Sequence, residues 1–157
     1  MLEGKEEHGE HSGIEFGSGK QEMCFQRIGS FIKGHYGADA VLSDQEPQVT
    51  IHSGSASTRL YVGVLWEDEA IVLISSTVLR GTKLSTDLLE TLLRENERMG
   101  GLAGFSINAK DEIVLTASLM GDCSEKQLTL SIAQVANTAD KFDDLIKKKW
   151  GGSRASE

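Results

Sequence analysis

Four histidines and two cysteines are the side chains of this sequence best suited to ligate a metal, move a proton or attack an electrophile. His8 and His11, beside Glu7 and Glu10, fall on one helical turn as metal ligands would. A metal site also needs a rigid scaffold and groups that orient its ligands, and the surrounding Gly-, Glu- and Ser-rich stretch supplies neither. A solvated acidic tail with incidental histidines is the simpler reading. Cys24 stands between Met23 and Phe25 on an apolar segment, the setting of a small buried hydrophobe rather than of a reactive thiol. Cys123 precedes a helix start, where the dipole lowers a thiol pKa, but no histidine is near it in sequence. No CxxC or Cys/His spacing marks a zinc or thioredoxin-type motif. His35 and His52 lack the Ser, Cys or carboxylate partner motif of acid–base catalysis. Gly13, Gly17 and Gly19 have neither the preceding strand nor the GKS/T ending of a phosphate loop. No catalytic residue, metal ligand or cofactor is therefore expected. A small ligand-binding enzyme is the alternative from another class, and it would need paired titratable groups in a deep polar pocket.

The elements that would position any site are easier to read. Residues 1–19, with only Leu2, Ile14 and Phe16 apolar enough for a core, read as a mobile tail. Ser18 with Gln21 has the form of a capping box, and Met23, Phe25, Ile28, Phe31, Ile32 and His35 give a helix over about 20–36 with a broad apolar face. Val49 and Ile51 alternate with polar neighbours. Two aliphatic runs follow, Leu60 to Trp66 and Ile71 to Leu79, and together the three segments predict an antiparallel meander. In the second run Leu60, Val62, Val64 and Trp66 share one face, and Tyr61 and Leu65 flank Gly63 on the other. The third run, Ile71-Val72-Leu73-Ile74, is apolar on both faces, more than a half-solvated sheet needs.

Ser85 caps a second helix over about 86–99, with Leu84, Leu88, Leu89, Leu92, Leu93 and Met99 at helical spacing and Gly100-Gly101 as its stop. Phe105 and Ile107, then Ile113, Leu115, Ala117 and Leu119, make a hairpin with one core side. Ser124 and Gln127 form another capping box. After it, Leu128, Ile132, Val135, Ala139, Phe142 and Ile146 form a seam on a helix of about 24 residues, ~36 Å long. Lys147, Lys148 and Lys149 suit the negative end of its dipole, and residues 153–157 read as a frayed end. The expected fold is α+β, in the order α-β-β-β-α-β-β-α.

At 157 residues the chain fits one domain, 20–152, whose core needs no metal or disulfide support. A net charge of −8 disfavours nucleic acid and anionic lipid as partners. No apolar run approaches the ~20 residues that span a bilayer, and the acidic N-terminus is unlike a signal peptide, so a cytoplasmic location with reduced thiols is expected. The apolar surplus is the functional lead. Tyr61, Leu65, Val72, Ile74, Leu89 and Leu93 are the candidate residues for binding a partner or for dimerisation, unless the three helices of the same chain cover them.

The segments Leu92-Leu93-Arg94-Glu95-Asn96, Gly104-Phe105-Ser106-Ile107, Asp111-Glu112-Ile113-Val114-Leu115 and Val135 to Asp144, in this order of elements, resemble the YbjN family and the class I type III secretion chaperones. The resemblance covers about 85–150 closely and the first half by element order. It implies one five-stranded antiparallel sheet with helices packed on it, and a homodimer. It also implies a non-enzymatic function: a sensory-transduction regulator or chaperone-like adaptor that captures a segment of a partner protein, or, alternatively, a dedicated secretion chaperone. No catalytic residue is carried across.

Overall fold

The structure, a computed structural model, describes residues 13–53 and 56–155. Helix α1 spans Gly19–Tyr36 and is followed by strands β1 (Ala40–Leu42), β2 (Gln48–Ser53), β3 (Ala56–Val64) and β4 (Ala70–Leu79). Helix α2 (Thr86–Arg98), strands β5 (Gly104–Ile107) and β6 (Ile113–Met120) and helix α3 (Glu125–Trp150) complete the chain. The fold class is α+β, as the element order predicts, but the antiparallel sheet has six strands, in the order β1-β2-β3-β4-β6-β5. The added strand is β1. Its three residues are too few to show an alternation, and it forms because the chain leaves α1 through a tight turn and pairs back on β2.

Capping fixes where the long helices begin. Ser124 and Gln127 exchange both bonds of a capping box at the start of α3. At α1 the Ser18 hydroxyl accepts from the Gln21 amide at 3.1 Å, but the Gln21 side chain does not return the bond to Ser18. It accepts from the Gly17 amide at 2.6 Å and donates to the Val62 carbonyl at 2.7 Å, so this buried amide ties α1 to β3. Leu128, Ile132, Val135, Ala139 and Ile146 are the buried stripe of α3, and Phe142 meets Phe105 edge-on at 5.2 Å.

The helices lie on one side of the sheet. Along β4 the even positions, Ala70 to Val78, are buried, and the odd ones, Ile71 to Thr77, are half-exposed. Leu60, Val62, Val72, Ile74, Leu115 and Ala117 enter a single core with Ile28, Ile32, Leu128 and Ile132. Val72 and Ile74, candidates for a partner surface, are thus fully buried beneath the helices. The reason is register: Leu60 pairs with Ile74 and Val62 with Val72, so the core face of β3 dictates the core face of β4. Among the described residues no helix covers the opposite face of the sheet. β3 also ends sooner than the apolar run, at Val64, and Trp66 lies in the turn that follows, 90% exposed.

Both ends of the described chain are pinned. Ile14 is buried and Phe16 packs on Phe25 at 5.9 Å, whereas residues 1–12, with His8 and His11, lie outside the described residues. Residues 153–155 do not hang free. Arg80 and Ser153 exchange two backbone bonds of 2.9 Å, the Thr82 hydroxyl donates to the Gly151 carbonyl, and Arg154 pairs with Asp143 and Asp144.

At the outer edge of β5 a side chain takes both backbone groups of Phe105. Asn96 Oδ1 accepts from the Phe105 amide at 2.6 Å and its Nδ2 donates to the Phe105 carbonyl at 3.1 Å, copying the bonds of a neighbouring strand. Asn96→Ala strips both, and the expected loss is about 1–2 kcal/mol, read from urea unfolding monitored by circular dichroism. Unchanged stability would show that water replaces the amide at no cost.

Candidate functional site

Among the described residues, Cys24, Cys123 and His35 are packed into the structure. Cys24 and Cys123 are buried free thiols. Burial pushes the Cys24 thiol above its usual range, against the opposing pull of the Arg27 guanidinium, so it is neutral at physiological pH. Its sulfur donates to the Gly121 carbonyl at 3.5 Å, and Arg27 bonds the carbonyls of Gly121 and Cys123 at 2.5 and 3.1 Å. His35 packs between Phe31 and Tyr36, and His52 is exposed on β2 opposite Ser57. Lys149 lies 3.5 Å from Asp87 and 4.5 Å from the Trp150 ring centre, tying the end of α3 to the start of α2. Among the described residues no group of three His, Cys, Asp or Glu side chains converges as metal ligands do.

Several exposed apolar residues gather at one corner, while Val41, Leu42, Leu102, Leu130 and Leu145 are exposed elsewhere. On the open face of the sheet Tyr61 pairs with Leu73, and Ile71 lies between Gly63 and Met120. Cross-strand partners point to the same side, so these residues form one patch. It continues around the strand ends. Met120, half exposed, lines a groove of about 350 Å³ with Leu65 and Trp66. It also lines a second groove, of about 480 Å³, with Met23, Cys24 and Ala70, which runs under the first turns of α1. Lys20 and Arg27 rim that groove on one side, and Glu69 and Asp122 on the other. Lys20 and Glu69 form an ion pair across it.

Four of the six sequence candidates are at the surface: Tyr61 and Leu65 at this corner, Leu89 and Leu93 on the outer side of α2, away from the buried Leu88 and Leu92. Val72 and Ile74 are not, and Ile71 and Leu73 hold the corresponding open positions. The sequence pattern places Met23 and Trp66 on core faces and gives Met120 no role, whereas the structure exposes all three. The signal for Trp66 and Met120 was their adjacency to the polar turns Glu67-Asp68-Glu69 and Gly121-Asp122, where a strand must already have ended. Met23 precedes the buried Cys24 by one residue, which rotates it about 100° off the core stripe.

No helix of the described residues is long and apolar enough to cross a membrane. No curated protein matches the sequence significantly. Among solved structures, a chain of the ExsC–ExsE complex superposes with a TM-score of 0.62 at 15% identity, over 77% of this chain and 94% of that one. A chain of the HopA1–SchA chaperone–effector complex does so with a TM-score of 0.59 at 12% identity, over 78% of this chain and 96% of that one. At such identities the likeness is one of fold. Family membership rests on sequence: residues 26–157 match the profile of TY-Chap1, the type III secretion (YopN, CesT) and YbjN peptide-binding chaperone 1 family, and the chain belongs to that family.

Proposed function

We propose that this protein holds an extended segment of a partner protein against the corner formed by Tyr61, Leu65, Ile71, Met120 and Met23. The family is one of peptide-binding chaperones and not of enzymes, and the HopA1–SchA complex joins a chaperone to an effector. The observation that carries the reading is the continuity of the apolar surface from the open sheet face, through Met120, into the groove beneath α1. A strand-like segment suits it, because alternate side chains of such a segment reach successive apolar depressions while its backbone stays at the rim. The two buried free thiols accord with a reducing cytoplasm.

Met120→Glu places a charge where both grooves meet, on a side chain exposed enough to leave folding intact. Removing one buried methionine contact weakens binding of a leucine-bearing extended peptide by about tenfold or more, measured by fluorescence anisotropy. Undiminished affinity in a folded variant would dismiss this corner as the binding surface.

Leu89 and Leu93 suit a different occupant. They stand on α2, away from the corner, among exposed charged neighbours such as Glu90 and Arg94 that pair within the helix. The reading gives this stripe to a homodimer interface. Light scattering then gives twice the monomer mass for the wild type and the monomer mass for Leu93→Glu. A monomeric wild type at micromolar concentration would remove the dimer from the proposal without touching peptide capture.

A further inference from the structure

The turn between β3 and β4 carries a cost that its sequence does not avoid. Glu67 and Asp68 both have left-handed backbone conformations, with φ of 57° and 60°. Hairpin turns with two such residues favour Asn-Gly or Asp-Gly, because the left-handed region suits asparagine, aspartate and above all glycine, and Glu67 is neither of the first two nor is Asp68 a glycine. The turn is nevertheless firmly held. The Leu65 amide donates to the Glu69 carbonyl at 2.7 Å, the Ser18 hydroxyl donates to the Asp68 carbonyl at 3.0 Å, and Lys20 pairs with Glu69. What these positions present is a pair of carboxylates beside Trp66, the most exposed Trp, Tyr or Phe among the described residues. Among the described residues, neither the Glu67 nor the Asp68 carboxylate has a hydrogen bond or ion pair.

Building on the peptide-capture reading, we infer that the Trp66-Glu67-Asp68 turn selects extended partner segments in which a lysine or arginine follows an apolar residue. The apolar side chain seats between Leu65 and Met120. The next cation stacks over the indole face of Trp66 and pairs with the carboxylates of Glu67 and Asp68. Aromatic faces attract cations, as Lys149 over Trp150 illustrates within this chain.

Charge argues against the other occupants. Residues 1–12 of the chain itself carry four glutamates against one lysine, and a second copy brings a net charge of −8. Both would meet the turn with like charge, whereas a basic segment is attracted by it and by the field of the whole protein.

The test uses the full-length protein and three synthetic peptides of equal length. All alternate leucine with serine, and they differ only in whether two fixed positions are lysine, glutamine or glutamate. At low salt the wild type should bind the lysine peptide about fivefold more tightly than the glutamine peptide, and the glutamate peptide most weakly. Binding of the lysine peptide should also change Trp66 fluorescence, a signal lost in Trp66→Leu. The double substitution Glu67→Asn with Asp68→Gly keeps the turn in its preferred chemistry and removes the charges. It should melt no lower than the wild type, bind the glutamine peptide unchanged and lose the lysine preference. Equal binding of all three peptides by the wild type would overturn this inference alone. So would a lysine preference that survives in the double variant, since net charge and not the turn would then be selecting. If no peptide binds the wild type, the capture reading itself falls and the selectivity with it.

Discussion

Gly152→Ala is expected to destabilise the protein by about 3 kcal/mol. Gly152 sits at φ +104°, a conformation that costs an L-residue roughly 1–2 kcal/mol. An added Cβ would also stand 2.2 Å from Thr82 Oγ1 and 2.9 Å from the Arg80 carbonyl oxygen. The segment 151–155 must then move away, breaking the paired backbone bonds between Arg80 and Ser153, each worth about 1 kcal/mol net. Urea unfolding would show a lower midpoint at an unchanged slope, and amide exchange at Arg80 and Ser153 would accelerate. Gly34→Ala is the matched control. Its Cβ enters open space near the end of α1, so alanine should stabilise by about 0.5–1 kcal/mol through helix propensity. Equal stability of Gly152→Ala and the wild type would mean that the pairing of Ser153 with Arg80 contributes nothing to the fold.

The second large effect separates two neighbouring residues of β4. Ile74 is fully buried and pairs with Leu60 and Ala117 across the middle of the sheet. Ile74→Ala leaves a cavity under α3, and the expected loss is about 2–5 kcal/mol. Leu73 faces the other way, half-exposed and opposite Tyr61. Leu73→Ala should cost roughly 1 kcal/mol of stability but weaken peptide binding severalfold. Measuring unfolding and peptide affinity on both variants gives opposite rankings. If Ile74→Ala lowered affinity in a protein of undiminished stability, the open face would lose its claim to the binding surface.

That pair also shows where the sequence was legible and where it was not. The seam of α3 and its capping box could be read directly, because apolar residues at helical spacing against polar neighbours admit one orientation. β4 offered no such contrast. Ile71 to Ile74 are apolar on both sides, and farther along the relation is inverted: Ser76 is buried with its hydroxyl bonded to the Ser57 carbonyl, while Leu73 is half-exposed. Polarity therefore does not report facing in this strand. The information lay next door in β3, where Arg59 and Tyr61 alternate with Leu60 and Val62, and antiparallel pairing carries that pattern onto β4. The candidate site was half legible for a related reason. Tyr61 and Leu65 stood out against a polar side, but Met23, Trp66 and Met120 gained their meaning only when strand ends and a helix start were brought to one corner.

Asn96 carries a consequence for how such a protein behaves in a crowd. A sheet edge with free backbone groups invites any extended chain to add a strand, and the product has a new edge that invites the next. With the Phe105 amide and carbonyl already taken by a side chain, and the other border held by only three residues of β1, stepwise growth from either border finds little purchase. Under the proposed capture, a segment bound on the face and corner would lengthen neither border. The fold thus offers an incoming chain few free backbone pairs from which a fibre could start.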